Sequence, residues 1–177
     1  MNNDALLQLL ALITSCKFYV GGLPVIKYIA ERCEIIISHS VNEEVVSAGG
    51  RYPNAVVAKE LIREGKIGVR TVSFWDYDVL DRYNLGKGEK ETIVLAVEMC
   101  GEVDFIVTDD RLAYVVIDRM SIKKLLFLDL IVELVERNLM DLELAKSIIN
   151  AIGLRYPEGF IYHTLKILER GDRKCLK

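Results

Sequence analysis

The sequence predicts an α/β protein with a central, mainly parallel sheet of five strands covered by helices. Three observations carry that prediction. Short β-branched apolar runs alternate with stretches of helical period, the pattern of strand–helix–strand crossovers. Hydrophobic residues make up 51% of the 177 and charged residues 28%, enough apolar side chain to close a core. Pro (3) and Gly (12) are sparse, and no repeat, low-complexity tract or linker divides the chain. Residues 1–177 therefore read as one domain.

Each element has its own justification. Residues 5–13 are apolar except for Gln8, with Asn3 or Asp4 before them as a cap. They read as a short N-terminal helix, spanning 1–14 with its cap, packed on the domain. Residues 17–20 read as the first strand, closed by Gly21-Gly22. A helix over 23–33 tolerates Pro24 in its first turn. The run Glu34-Ile35-Ile36-Ile37 is a short buried strand. Ser40 begins a helix to about Ala48, stopped by Gly49-Gly50, and Gly65 caps a second helix over 54–64. Residues 67–72 form the third strand and 89–100 a helix. The fourth strand is 105–107, followed by a helix over 111–120 and the fifth strand at 125–127. Helices near 129–138, 141–152 and 158–170 make about 128–177 a helical C-terminal part.

Charge and cysteine usage narrow the function classes. The net charge is −3 and the pI about 5.5, which leaves no bulk basic field; any nucleic-acid contact needs a local patch. Cys16, Cys33, Cys100 and Cys175 stand far apart, as do His39 and His163, so the spacing argues against a zinc knuckle and a disulfide scaffold. The start Met-Asn-Asn-Asp lacks the positive charge of a secretory leader. No run reaches the ~18 apolar residues of a membrane span; the best candidate, 125–135, contains Asp129 and Glu133. The expectation is a cytoplasmic protein without membrane contact.

In a parallel sheet, ligands bind at the carboxyl ends of the strands. The second strand is followed by Ser38-His39-Ser40-Val41-Asn42-Glu43-Glu44. Ser40 and Glu43 have capping-box spacing, which leaves Glu44 on the stripe of Val41 and Ala48. A carboxylate on that face either serves a site or snorkels to solvent. The fourth strand is followed by Thr108-Asp109-Asp110-Arg111. One Asp suffices as a helix cap, and the repulsion of two calls for a cation or Arg111 to offset it. Between these lies Leu85-Gly86-Lys87-Gly88-Glu89-Lys90-Glu91-Thr92-Ile93. Acidic residues suit a first helical turn through the helix dipole. Glu89 shares a stripe with Ile93 and Ala96, and Glu91 shares a wetter one with Leu95 and Glu98, so Glu89 is the inward candidate. Carboxylates gathered without His or Cys form a hard oxygen site suited to Mg²⁺ or Mn²⁺. Lys87 and Arg111 beside them either hold phosphate or are solvated surface charge.

These stretches, in this order, resemble the PIN-domain proteins, the fold of VapC-type toxin ribonucleases. The likeness rests on Ile35-Ile36-Ile37-Ser38 with Val41-Asn42-Glu43-Glu44-Val45, then on Leu85-Gly86-Lys87-Gly88-Glu89 with Ile93, Leu95 and Ala96. It continues through Val107-Thr108-Asp109-Asp110 with Ala113 and a helical tail containing Glu136-Arg137-Asn138-Leu139. The resemblance implies a three-layer α/β/α sandwich and a Mg²⁺- or Mn²⁺-dependent ribonuclease in which water attacks a phosphodiester in line. It implies that Glu44, Glu89 and Asp109 or Asp110 are catalytic metal ligands. Single-stranded RNA, a small antitoxin protein and a second copy of the chain are the partners it implies. One departure stands out. The family ends its first strand with Asp, then Thr or Ser, Ser, often Pro, and two apolar residues. Here the stretch reads Val20-Gly21-Gly22-Leu23-Pro24-Val25-Ile26, with Gly21 in place of the Asp. An alternative alignment makes Asp4 the first carboxylate. The departure opens a second function, a catalytically dead PIN fold that binds RNA or protein. A receiver-like phosphate-transfer domain finds no support, since no Asp-x-Asp strand motif or Gly-rich phosphate loop is present.

Overall fold

The protein is described by a computed structural model over residues 7–11, 19–20, 23–48, 53–73 and 78–170. The chain opens with β1 (Leu7–Ala11), β2 (Tyr19–Val20), β3 (Leu23–Pro24) and α1 (Val25–Ala30). Next come β4 (Cys33–Ser38), α2 (His39–Ala48), α3 (Pro53–Arg63), β5 (Ile67–Arg70), α4 (Asp78–Asp81) and α5 (Lys87–Glu98). Then follow β6 (Phe105–Val107), α6 (Arg111–Arg119), β7 (Lys124–Leu125), α7 (Phe127–Glu136), α8 (Leu142–Ile152) and α9 (Glu158–Arg170). A 3₁₀ turn, Gly153–Arg155, joins the last two helices. The fold is α/β.

The main sheet runs in the order β5-β4-β1-β6-β7, and every pairing in it is parallel. The chain moves outward from β1 to β4 and β5, then returns to the other side of β1 as β6 and moves outward again to β7. That reversal makes the carboxyl ends of β1 and β6 the topological switch point, where open α/β sheets form their crevice. The strand ends are level there: Leu10 pairs with Ile36, Ala11 with Val107, and Val107 with Leu125.

The core explains the strands. Ile35, Ile36 and Ile37 are all buried, as a strand covered on both faces requires. Around them lie Ile67, Ile93, Ile106, Ile117 and Ile131, each at most 1% exposed. Full burial of one such side chain is worth about 1.5–3 kcal/mol. In α5, Thr92 through Ala96 are buried without a break, because the helix packs on α2 as well as on β4 and β1. In α8, Ala145, Ile148, Ile149 and Ile152 form one apolar stripe, and α7 packs against both α8 and α9. Tyr28 of α1 donates its hydroxyl hydrogen to the Leu139 carbonyl at 3.1 Å and so ties the C-terminal helices to the start of the chain.

Several expectations are corrected. The N-terminal helix is not observed: Leu7–Ala11 is the central strand. A short apolar run fits a helix or a buried strand equally well by pattern, and pairing with β4 on one side and β6 on the other satisfies its backbone. Of the strand expected over 17–20, residues 17 and 18 lie outside the described residues; Tyr19–Val20 pairs antiparallel with Leu23–Pro24 in a separate two-stranded sheet and does not join the main one. The helix expected over 23–33 is only Val25–Ala30, and Cys33 already belongs to β4. No described helix is long and apolar enough to cross a membrane.

Candidate active site

The acidic edge begins where β4 passes into α2. Ser38 is fully buried and its Oγ accepts the Val41 amide at 3.4 Å. The Ser40 amide donates to Glu91 Oε2 at 2.8 Å. A carboxylate from α5 therefore satisfies this helix start, and the expected Ser40–Glu43 capping box does not form. Glu43 instead lies 3.6 Å from both His39 Nε2 and Lys87 Nζ. Glu44 is exposed as a residue, yet its carboxylate rests against Gly88. A Cβ on Gly88 would stand 2.9 Å from Glu44 Oε1 and 3.0 Å from Val41 Cγ2, so only glycine allows this approach. Burial raises the Glu44 carboxyl above its ordinary value of 4.5; the charges of Glu89 and Glu91 add to this, and the hydrogen-bonded Gly88 backbone opposes it.

The first turn of α5 supplies the second group. Glu89 is half-buried, and its Oε2 accepts the Gly86 amide at 2.7 Å. The expectation that Glu89 is the inward residue and Glu91 the wetter one is corrected, since Glu91 is 7% exposed. Glu91 is drawn into the packing of α5 on α2 by the Ser40 amide, whereas Glu98 is exposed at the end of the helix. Lys87 stands 3.8 Å from Glu91 Oε1 as well as near Glu43, so its ammonium neutralises carboxylates. Thr92 donates its hydroxyl hydrogen to the Gly88 carbonyl at 2.8 Å, and its Oγ1 lies 3.4 Å from Ser38 Oγ, which joins α5 to β4. Ser40 Oγ and Asn42 Oδ1 are buried with no hydrogen-bond partner among the described residues.

The two adjacent aspartates divide their roles. Asp110 caps α6, its Oδ1 accepting the Ala113 amide at 2.8 Å. Asp109 accepts the Phe127 amide at 3.0 Å on Oδ1 and the Tyr156 hydroxyl at 2.5 Å on Oδ2. Burial pushes the Tyr156 hydroxyl well above its ordinary value of 10, and its bond to Asp109 and that carboxylate's charge push it further. Sequence reasoning missed Tyr156, which lies 47 residues from Asp109 and follows a 3₁₀ turn that carries no motif. It also passed over Glu91, and it took Gly88 only as part of a motif. Arg111 is exposed at the start of α6, on the Asp109 side of the edge.

The fold brings Glu44 close to Glu89 and Glu91, while Asp109 and Asp110 stand at the end of β6. Glu44 follows β4, Glu89 and Glu91 stand on α5 after β5, and Asp109 and Asp110 follow β6, with β1 between β4 and β6. At about 4.8 Å per strand spacing, the two strand ends are about 10 Å apart. The gap belongs to whatever follows β1, and there the sequence reads Leu12-Ile13-Thr14-Ser15. No Asp or Glu occurs between Asp4 and Glu31. Gly21 and Asp4, the two positions considered for the first carboxylate, lie outside the described residues. In sequence, Gly21 follows β2 of the small sheet and Asp4 precedes β1, so neither stands after the central strand. The stretch Ile13-Thr14-Ser15 that follows β1 in sequence carries no carboxylate.

Among the described residues, no group of three or more His, Cys, Asp or Glu side chains is arranged to hold a metal ion. The donors fit a hard divalent cation in part. Glu44 and Glu89 are oxygen donors whose mutual repulsion a cation would relieve, and Mg²⁺ is held by one or two carboxylates with water completing its shell. Asp109 and Asp110 are already engaged by Tyr156, Phe127 and Ala113.

A family model described as a PIN domain matches residues 19–170, starting beyond β1. No curated protein and no solved structure gives a significant match. The family match spans well over half of the chain, and the chain belongs to the PIN-domain family.

Proposed function

We propose that this PIN domain is a Mg²⁺- or Mn²⁺-dependent endoribonuclease with a depleted cation seat, built on a three-layer α/β/α arrangement and acting slowly on single-stranded RNA. The observation that carries the reading is the Glu44 carboxylate, placed against Gly88 and beside Glu89 at the carboxyl edge of the sheet. Glu44 and Glu89 would hold the cation. The chemistry a divalent ion brings when bound is charge neutralisation at a phosphodiester and activation of water. Glu91 holds the start of α2 through Ser40 and Lys87 offsets the surrounding negative charge, so both keep the seat in shape. Asp109 and Asp110 flank the path of the RNA from the other side of β1. A cytoplasmic location, a homodimer and a small antitoxin partner belong to this reading through the family likeness alone.

A second reading, a PIN fold that binds RNA without cutting it, is favoured by the commitment of Asp109 to Phe127 and Tyr156 and by Ile13 before Thr14-Ser15. RNA cleavage separates the two. Wild-type protein with a labelled single-stranded RNA in Mn²⁺ or Mg²⁺ is expected to give slow endonucleolytic products that EDTA or Glu44→Gln abolishes. Products that persist in both controls, or none from wild type at any cation concentration, defeat the nuclease reading.

A further inference from the structure

At the carboxyl end of β6, both oxygens of the Asp109 carboxylate are occupied by donors from the C-terminal helical part. Oδ1 accepts the Phe127 amide at the start of α7, and Oδ2 accepts the Tyr156 hydroxyl at 2.5 Å. The second bond has the short length of a hydroxyl donating to an ionised carboxylate. Of Glu44, Glu89, Asp109 and Asp110, Asp109 alone accepts from a side chain among the described residues; the other three accept from backbone. That side chain comes from 47 residues along the chain, just after the 3₁₀ turn that joins α8 to α9. Its hydroxyl stands in a balanced field, with the Asp109 and Asp129 carboxylates against the Arg155 guanidinium. Asp109 and Tyr156 are both half-buried, and both line a groove of about 550 Å³ through which an ion from solution can reach them.

We propose that Tyr156 makes an autoinhibitory contact, in which its hydroxyl holds the place at Asp109 that a divalent cation would otherwise take. The proposal rests on the cation reading given above and adds why a carboxylate at the switch point is withheld from the cation. A half-buried carboxylate requires a counterpart, either a cation or a hydrogen-bond donor. A phenol hydrogen and a hard cation satisfy the same oxygen lone pairs, so at Oδ2 one excludes the other. The two donors to Asp109 differ in how firmly they are built in. The Phe127 amide belongs to the backbone at the start of α7, whereas the Tyr156 hydroxyl is the far end of a side chain that follows a three-residue turn. A purely structural bond, tying the start of α9 to β6, is the alternative. The two differ in one measurable respect. Removing a structural bond lowers stability and leaves cation affinity alone; removing a competitor raises cation affinity.

The test is Mn²⁺ binding, read by calorimetry on the full chain without RNA. Tyr156→Phe removes one oxygen and is expected to tighten Mn²⁺ binding about tenfold, the order carried by one hydrogen bond to a charged group. Asp109→Asn in the Tyr156→Phe background should return the affinity to that of the wild type. Asp109→Asn alone should leave Mn²⁺ affinity unchanged, because the wild-type carboxylate is already occupied. That arm keeps the proposal testable whether or not Tyr156→Phe folds, which circular dichroism melts report. Unchanged binding by Tyr156→Phe overturns the proposal in favour of a structural bond. Weaker binding overturns it in favour of a donor that orients Asp109 for the cation. Tightening that survives Asp109→Asn overturns it, as does loss of affinity in Asp109→Asn alone or absence of Mn²⁺ binding by both wild type and Tyr156→Phe. A cation bound by Tyr156→Phe and not by the wild type upholds the contact and removes the wild-type cation seat, and with it the nuclease reading.

Discussion

Ionisation of Glu44 is resisted by its burial and by the nearby charges of Glu89 and Glu91, and is eased by the Gly88 backbone. The consequence for stability has a definite sign. The folded pKa is raised above the ordinary 4.5, so ionisation is harder in the folded chain than in the unfolded one. The penalty is absent below pH 4.5, grows as pH rises through the raised value, and is complete above it. Glu44→Gln is therefore expected to raise Tm in metal-free buffer at pH 7 by a few degrees at most, since the residue is exposed. The gain should vanish at pH 4. Equal gains at both pH values, by differential scanning calorimetry, would show that packing rather than charge is responsible. Asp109 is the contrasting residue. It is as acidic in sequence as Glu44, yet its two hydrogen bonds make it a structural link between β6, α7 and the turn before α9.

At the scale of elements, the start of a helix decides what a carboxylate does. Asp110 caps α6 through the Ala113 amide, and Asn caps about as well as Asp whereas Ala does not. Asp110→Ala should cost about 1 kcal/mol in urea unfolding, and Asp110→Asn only a few tenths. Equal losses would instead assign its effect to charge. The start of α2 is different, because its amide partner comes from α5. Glu91 reaches across from a helix 51 residues later, so the Ser40–Glu43 spacing, correct as a local rule, was outcompeted by a tertiary partner. Where α2 meets α5, the absence of a side chain at position 88 leaves room for the Glu44 carboxylate and for Val41.

For the whole molecule, the decisive fact is that β1 is the central strand and lies between β4, which leads to Glu44, and β6, which leads to Asp109 and Asp110. A carboxylate after β1 would join them; Ile13-Thr14-Ser15 provides none. Ile13→Asp is therefore expected to tighten Mn²⁺ binding several-fold by calorimetry and to increase any RNA cleavage. Gly21→Asp, after β2 of the small sheet, should do neither. Tighter binding by Gly21→Asp alone would mean that the family's first acidic position lies after β2.

The sequence alone determined the alternation of strands and helices from Glu34 onward, because those signals are local. The Ile35-Ile36-Ile37 run, the apolar stripes of α8 and α9, and the Asp before α6 depend on near neighbours along the chain. It also showed that Glu44, Asp109 and Asp110 follow strands and that Glu89 opens a helix, which is why these four were candidates. Tertiary structure decided the rest. Residues 7–11 are apolar enough for either a helix or a buried strand, and only pairing on both sides makes them the middle of the sheet. Glu91 is buried because it binds the Ser40 amide of α2, whereas Glu89 folds back onto the Gly86 amide at its own helix start, and Asp109 differs from Asp110 because Tyr156 reaches it from 47 residues away. Periodicity along a chain reports which face of an element is apolar. Which neighbour covers that face, and which carboxylate it engages, depends on contacts between segments far apart in sequence.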